Sequence, residues 1–413
     1  MRPRRSVLSS GTLVTQARKS VRQEAPWLDK LSPRIRPLLD LPDLALLPPA
    51  SAQKLDMVIV GGGVTGLSAA QAAAGSGARV LLLEAGSRLG LGASGRNAGI
   101  VSVGANLGLS DLPPDSPLVT LWPDTTEAAS SLFRDAAQPD AILQARQTGA
   151  LSLATEPEEV DWLTREAEAR QAAGLRAEVW TAAQAAEQTG GRLNLRNVQA
   201  ALWLPDEGRA YPLTVLAHLA EQARNAGAIL VGNAEVAACQ EVSYQEDGNA
   251  ISRWEVRLRS GLTLSARGLI WATGPTITPS ARLYALAFKA DLSDDFPVFW
   301  DASHYTYYDY RPGNGWLIVS GGPYGPAGAA DGDPAYHRKM AASARRWLPE
   351  LARHRPRYTW AVDLAVSAEM LPASRTLGKR APGYAIEGLG AQGVLPGIVL
   401  GRKAGEALAC QLL

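Results

Sequence analysis

The run Gly61-Gly62-Gly63-Val64-Thr65-Gly66 is a turn that could cradle a pyrophosphate, and it follows the short β-prone run Met57-Val58-Ile59-Val60 without a gap. In the order strand, glycine-rich turn, helix, Gly61 permits the tight turn and Gly63 lets backbone N–H groups approach the phosphates. Gly66 lets the helix expected over residues 67–75 pack close to the strand. The N-terminus of that helix, with Val64 and Thr65 just ahead of it, then faces the anion. A second apolar run, Arg79-Val80-Leu81-Leu82-Leu83, ends at Glu84 and Ala85. That is about twenty residues beyond the turn, where a carboxylate can accept both ribose hydroxyls. The chemistry implied is binding of an adenosine dinucleotide, and the acid at Glu84 disfavours a 2′-phosphate.

After the second strand comes Gly86-Ser87-Arg88-Leu89-Gly90-Leu91-Gly92-Ala93-Ser94-Gly95-Arg96-Asn97-Ala98-Gly99. Small residues in such number pack poorly by themselves and suit backbone wrapped closely around a ligand. Ser94, Arg96 and Asn97 can supply hydrogen bonds to a phosphate, a sugar-like chain or a ring. Further on, Tyr305-Thr306-Tyr307-Tyr308-Asp309-Tyr310-Arg311 lies in the aromatic and β-branched stretch 296–322. Strand alternation puts Tyr307, Asp309 and Arg311 on one face and Tyr308 and Tyr310 on the other.

The loop Gly92-Ala93-Ser94-Gly95-Arg96-Asn97-Ala98-Gly99 resembles the second flavin loop of the D-amino-acid oxidase/glycine oxidase (DAO) superfamily of FAD-dependent oxidoreductases. The resemblance is closest to the gamma-glutamylputrescine-oxidoreductase-like branch, which also has an N-terminal arm like residues 27–49. Three later segments are similar to the family's. Glu207-Gly208-Arg209-Ala210-Tyr211-Pro212 precedes an amphipathic helix over residues 213–226. Leu269-Ile270-Trp271-Ala272-Thr273-Gly274 looks like the strand whose end passes beneath the adenosine. Gly383 to Val394 leads into a helix through Leu412. The cofactor residues this resemblance implies are Gly61, Gly63, Val64, Thr65, Gly66, Glu84, Ala85, Ser94, Gly95, Arg96, Asn97, Ala98, Gly99, Val236, Ala272, Thr273, Gly274, Gly390, Gln392, Gly393 and Val394. Relatives that attach flavin covalently use a His in the second loop or a late Cys. Residues 93–99 hold no His, and neither Cys239 nor Cys410 falls in a flavin motif, so the FAD is expected to be non-covalent.

The resemblance also suggests substrate residues. Arg311 matches a position where many relatives have Tyr-x-x-Arg before a glycine-rich hairpin, and it could grip a carboxylate with two hydrogen bonds. Where amino-acid oxidases often have a second Arg, this chain has Asp363 within Thr359-Trp360-Ala361-Val362-Asp363-Leu364, which would suit a cationic amine. Tyr307 and His304 complete the catalytic candidates, and Arg375 and Lys379 stand as replacements for the missing Arg. The implied reaction is hydride removal from the C–N bond of an amine or amino acid, giving an imine that hydrolyses, with oxygen or a quinone as electron acceptor. Two alternatives stay open: a 2-hydroxy acid dehydrogenase passing electrons to quinone, and a flavin-carrying subunit of a hetero-oligomeric dehydrogenase.

These residues need an α/β fold in which a Rossmann-like FAD-binding domain is interleaved with a mixed-sheet α+β substrate domain. The expected boundaries are a basic arm over 1–54, the FAD-binding domain over 55–105, 205–282 and 373–413, and the substrate domain over 106–204 and 283–372. The arm is read as retained and laid on the surface through Leu38, Leu39, Leu41 and Leu44, with an organellar transit peptide left open. Composition excludes other classes. Lys and Arg number 41 against 40 acids, so a net charge of +1 provides no field for nucleic acid. No apolar run approaches the roughly 18 residues that would span a bilayer. Two distant cysteines offer no disulfide framework or metal-ligand spacing and read as ordinary buried thiols; no metal is expected, and a cytoplasmic location is.

Overall fold

The computed structural model describes residues 12–14, 25–29, 31–44, 55–113, 115–246, 249–274, 279–302, 308–329 and 332–413. It is a mixed α/β structure built on two large sheets. In the first, Thr263–Trp271, Leu55–Val60, Val80–Leu83 and Ile229–Val231 run parallel to their neighbours, with Ile59 beside both Leu82 and Ile270. Gly383–Glu387 also runs parallel to Thr263–Trp271, while Asn249–Leu258 and Val236–Glu246 extend the sheet as an antiparallel hairpin. Leu55–Val60 is buried along its whole length, as expected of a strand covered on both faces.

The helices Val64–Gly75 and Val394–Leu412 lie against each other on this sheet. Their approach is close because glycines recur every four residues along the second helix. A Cβ on Gly401 would stand 2.2 Å from the Thr65 carbonyl oxygen, and one on Gly405 would stand 2.4 Å from that of Ala69. Two helix N-termini, one after the glycine-rich turn and one after Gly393, are thereby fixed side by side.

The second sheet has the order Tyr358–Leu364, Ala281–Lys289, Trp316–Gly325, Tyr308–Gly313, Val298–Asp301, Ala150–Ala154, Ala200–Leu204, Glu178–Trp180. Every pairing is antiparallel except that of Val298–Asp301 with Ala150–Ala154. One face is covered by the helix Asp333–Trp347 over a core containing Tyr284, Phe299 and Tyr310, which stacks on Phe299. The other face turns toward the first sheet.

The described part of the N-terminal arm, residues 25–29 and 31–44, is packed into the core rather than laid on the surface. Trp27, Leu31, Ile35 and Leu39 are buried in the same core as the two paired helices, and Leu41 and Leu44 are buried as well. Backbone pairing of Asp40 with Arg88 and of Asp43 with Gly232 ties it to the first sheet's end, and Arg224 donates to the Leu38 carbonyl oxygen. Burial of these large apolar side chains outweighs the disorder favoured by the prolines around them. One cysteine also differs from expectation: Cys239 is buried, and burial pushes its thiol pKa up, whereas Cys410 is exposed.

Candidate functional site: a dinucleotide cradle opening on an acidic cleft

The cradle begins where three parallel strands end together. Gly61 donates to the Leu83 carbonyl oxygen at 2.8 Å, and Ala272 donates to that of Val60 at 2.8 Å. Gly61 has a φ of +108°, and a Cβ there would lie 2.6 Å from the Ala272 oxygen. Gly66 meets Gly61 so closely that a Cβ would fall 1.9 Å from its oxygen. Only glycine fits the crossing, as the sequence pattern requires. Glu84 stands at the mouth, its carboxylate accepting from Gly62 at 2.8 Å and Gly86 at 3.0 Å. Ala85 beside it is exposed, while Val236 is buried in the neighbouring core with Leu83. Thr273 and Gly274 follow Ala272 at the same edge.

In the second loop the polar side chains hold the loop itself. Ser94 Oγ accepts from the Val64 N–H at 3.1 Å, joining this loop to the start of the first helix. Asn97 donates to the Ser94 oxygen at 2.7 Å and accepts from Gly99 at 2.8 Å. Arg96 donates to the Ala361 oxygen at 2.7 Å, and Trp360 returns its indole N–H to the Arg96 oxygen at 2.8 Å. Gly95 packs on the backbone of Gly90, and Gly99 on the oxygen of Ala210, with Ala98 between the Asn97 and Gly99 bonds. The loop is thus stitched to the second sheet through Tyr358–Leu364.

The third piece is the turn before the last helix. Asn106 organises it: its amide nitrogen donates to the Met370 and Leu389 oxygens at 3.1 and 3.2 Å, and its amide oxygen accepts from Ala391 and Gln392 at 2.9 and 3.0 Å. Gly390, at φ +60°, leaves room for that amide, and Gly393 leads into Val394 at the helix start. Asn106 was not among the expected site residues. Its partners lie more than 260 positions away, and no local signal marks it.

Asn106, Ala391 and Gln392 form one wall of a cleft open to solvent. The opposite wall is the free face of the second sheet. Ser152 lies opposite Trp300, Trp300 opposite Asp309, and Asp309 opposite Ser320, so these four residues make one row across four strands. The row continues through Ala285 to Trp360, which holds the second loop. Asp301 and Tyr324 also line the cleft. Burial pushes the Asp301 carboxyl up to about 7 against the opposing pull of Arg346, 3.7 Å away. Burial, together with the charge of Asp301, pushes Asp309 up to about 8. Tyr324 is held up to about 12 by burial and by Asp309. Behind this wall Arg170 bonds to Glu166 at 2.7 Å and Glu207 at 3.1 Å, a buried cation matched by two acids.

The expected substrate residues are dispersed. Arg311 shares the sheet face with Asp309, but its guanidinium is fully buried and donates to the Ala210 oxygen, the Gly313 oxygen and Asn314, beneath the ring of Trp27. Asp363 is paired with Arg282 at 3.0 Å, and Arg282 also meets Asp333 at 2.9 Å. Arg375 is paired with Glu387 away from the cleft. His304 and Tyr307 lie outside the described residues.

The profile of the DAO family, described as FAD dependent oxidoreductase, matches residues 56–407. The chain belongs to this family of FAD-dependent oxidoreductases. Its fold is like that of glycine oxidase from Geobacillus kaustophilus, with a TM-score of 0.68 and 21% identity over 87% of this chain and 94% of that one. It is also like that of L-proline dehydrogenase from P. horikoshii, at TM-score 0.69 and 20% identity over 89% and 93%. A third likeness is to fructosyl amine:oxygen oxidoreductase from Aspergillus fumigatus, at TM-score 0.66 and 14% identity over 87% of each chain. Among curated protein sequences there is no significant match. FAD is the family's cofactor, and the glycine crossing at Gly61 and Gly66 with Glu84 at its mouth fits an adenosine dinucleotide. No described helix is long and apolar enough to cross a membrane.

Proposed function

We propose that this FAD-dependent oxidoreductase oxidises a C–N bond of an amine or amino acid, with the substrate held in the cleft between the Asn106-braced turn and the sheet face bearing Asp309. The observation that carries the reading is the composition of that cleft: two walls supplied by segments far apart in the chain, one of them the predicted flavin turn Ala391-Gln392, the other a polar and aromatic row on a sheet. When bound, FAD supplies the acceptor for the hydride that leaves the substrate carbon. The protein's part is to bind and orient. Glu84 would take the ribose hydroxyls, the turn at Gly61–Gly63 the pyrophosphate, and the turn at Gly390–Gly393 the ring's pyrimidine end. Asp309 and Asp301 would accept the proton that an ammonium must give up before its carbon can lose hydride. The imine so formed hydrolyses to a carbonyl compound and an amine.

The reading assigns residues 55–105, 205–282 and 373–413 to the flavin domain and 106–204 and 283–372 to the substrate domain. It places the chain nearest the gamma-glutamylputrescine-oxidoreductase-like branch on the strength of its loop and its arm, and holds the FAD non-covalently. The amino-acid and amine substrates named for the structural relatives point the same way. A 2-hydroxy acid would bring a carboxylate against Asp301 and Asp309, which ranks that alternative lower. Anaerobic titration of the purified yellow protein with amines, amino acids and hydroxy acids, followed by air or a quinone, tests the proposal. Bleaching by an amine or amino acid is expected, and the reoxidant then names the acceptor. Bleaching by hydroxy acids alone, or a protein that cannot be loaded with FAD, would overturn it.

A further inference from the structure

The cleft is acidic, and its acids are of two kinds. Asp111, Glu166, Asp301 and Asp309 line it, with Arg170 as the one cation among the described lining residues. Arg170 is consumed by Glu166 and by Glu207 behind it. Asp111 likewise accepts from Trp162 and from the Gly108 N–H. Asp309 is different. Among the described residues no ion pair reaches it, and its hydrogen bond from Ser320 is long, at 3.4 Å. Among the described residues Asp301 has only the Tyr308 N–H at 3.3 Å and the exposed Arg346 at 3.7 Å.

A second observation points to a ligand at the same place. Ser152 lines the cleft and is 1% exposed, and its hydroxyl has no hydrogen-bond partner among the described residues. It lies two strands from Asp309 in the same row, with Trp300 between them. A hydroxyl so deeply buried normally finds a partner. Here Ser152 and Asp309 flank Trp300 across the strands and Asp301 follows it along its own strand, and the face of a Trp ring attracts a cation. No free guanidinium or ammonium stands in the described cleft wall to receive a carboxylate, because Arg311 is sealed under Trp27.

We infer that the Ser152–Trp300–Asp309 row, with Asp301 next to Trp300 on its strand, selects a substrate of net positive charge: an aliphatic diamine before a monoamine, and either before an α- or ω-amino acid. This rests on the amine-oxidation reading above and names its substrate class. Specificity comes from attraction to the acid pair and from the absence of a cation that would compensate a carboxylate.

The test compares 1,4-diaminobutane, n-butylamine, 4-aminobutanoate and alanine as substrates of the FAD-loaded wild-type enzyme, with binding of 1,4-diaminobutane followed by calorimetry. The diamine is expected to exceed 4-aminobutanoate in kcat/KM by roughly tenfold to a hundredfold, the effect of losing charge-assisted hydrogen bonds. Asp309→Asn should lower kcat for every amine by removing a proton acceptor and should in addition remove most of the diamine preference, seen in the ratio of kcat/KM values, and Asp301→Asn should weaken it. Equal or better use of 4-aminobutanoate or alanine by the wild-type enzyme would overturn the inference while leaving C–N oxidation standing, and this result needs no variant to fold. An undiminished diamine preference in a folded, flavin-loaded Asp309→Asn protein would overturn it as well. Bleaching by hydroxy acids and by no amine would sink the underlying reading instead.

Discussion

Trp27 covers the guanidinium of Arg311, whose Cζ lies 5.2 Å from the ring centroid, and donates its indole N–H to the Asn97 oxygen at 3.0 Å. Its own carbonyl oxygen accepts from the Tyr211 hydroxyl. One side chain of the arm therefore joins the second loop, the substrate sheet and the helix Pro212–Asn225. Truncation to Ala should cost about 3–5 kcal/mol by loss of a buried aromatic. Thermal unfolding should show that loss, and gel filtration should show weaker retention of FAD. For the same reason Arg311→Ala should lower the melting temperature and raise KM for acidic and neutral substrates alike. A selective loss for acidic substrates would restore Arg311 as a carboxylate anchor.

Glu84→Ala should weaken FAD binding. The carboxylate bridges Gly62 and Gly86 at the mouth of the cradle, and if it takes the ribose hydroxyls as proposed, its removal loses hydrogen bonds worth roughly 1.5–3 kcal/mol. Titration of the apoprotein with FAD, read by quenching of flavin fluorescence, gives the dissociation constant directly.

Asn106→Leu keeps the size of the side chain and removes four hydrogen bonds to the turn around Gly390. The Ala391 and Gln392 N–H groups lose their acceptor, and the cleft wall loosens. A fall in kcat larger than the change in melting temperature would predict is expected from paired stopped-flow and unfolding measurements.

Gly401→Val tests the helix contact. Its Cβ would stand 2.2 Å from the Thr65 oxygen, so the two helices must separate. Overpacking of this kind costs about 1–3 kcal/mol or more. Because Thr65 follows the glycine-rich turn, flavin content of the purified variant should fall along with its stability.

The acid pair predicts a pH dependence with a definite sign. Asp301 and Asp309, raised to about 7 and about 8, are protonated well below those values and negative above them. Binding of a diamine should strengthen as pH rises through 7 to 8. Stability should move the other way, since a carboxyl raised in the folded state favours folding at low pH and loses that contribution as pH climbs from about 4 through 8. The groups facing Asp309 are Asp301, Ser320 and Tyr324, and none supplies a compensating cation. Asp309→Asn should therefore raise the melting temperature at pH 9 more than at pH 5, as differential scanning calorimetry across that range would show.

The cradle was legible because its signals are local. Val58 to Gly66 and Arg79 to Glu84 carry strand, turn and helix within a few residues of each other, and only glycine satisfies the positive φ at Gly61 or the contact at Gly66. The alternation at 308–311 was equally local: Tyr310 packs on Phe299 beneath the sheet, while Asp309 and Arg311 take the other face. That pattern could not say which of the two charged side chains reaches the cleft. The answer depends on Trp27, nearly three hundred positions earlier, and the arm looked like a surface segment because its prolines and basic residues hide a buried apolar set.

The sequence by itself determined the glycine-rich strand-turn-helix unit, from local spacing, and the family and mixed α/β class, from the resemblance of several segments spread along the chain. Tertiary structure decided the rest. It sealed Arg311, neutralised Asp363 with Arg282, recruited Asn106 to brace a turn at the far end of the chain, and left Asp309 with no ion pair among the described residues. The physical reason is that a charged side chain's role is set by which partners desolvate or neutralise it, and those partners are chosen by sheet order and helix packing rather than by its neighbours in sequence.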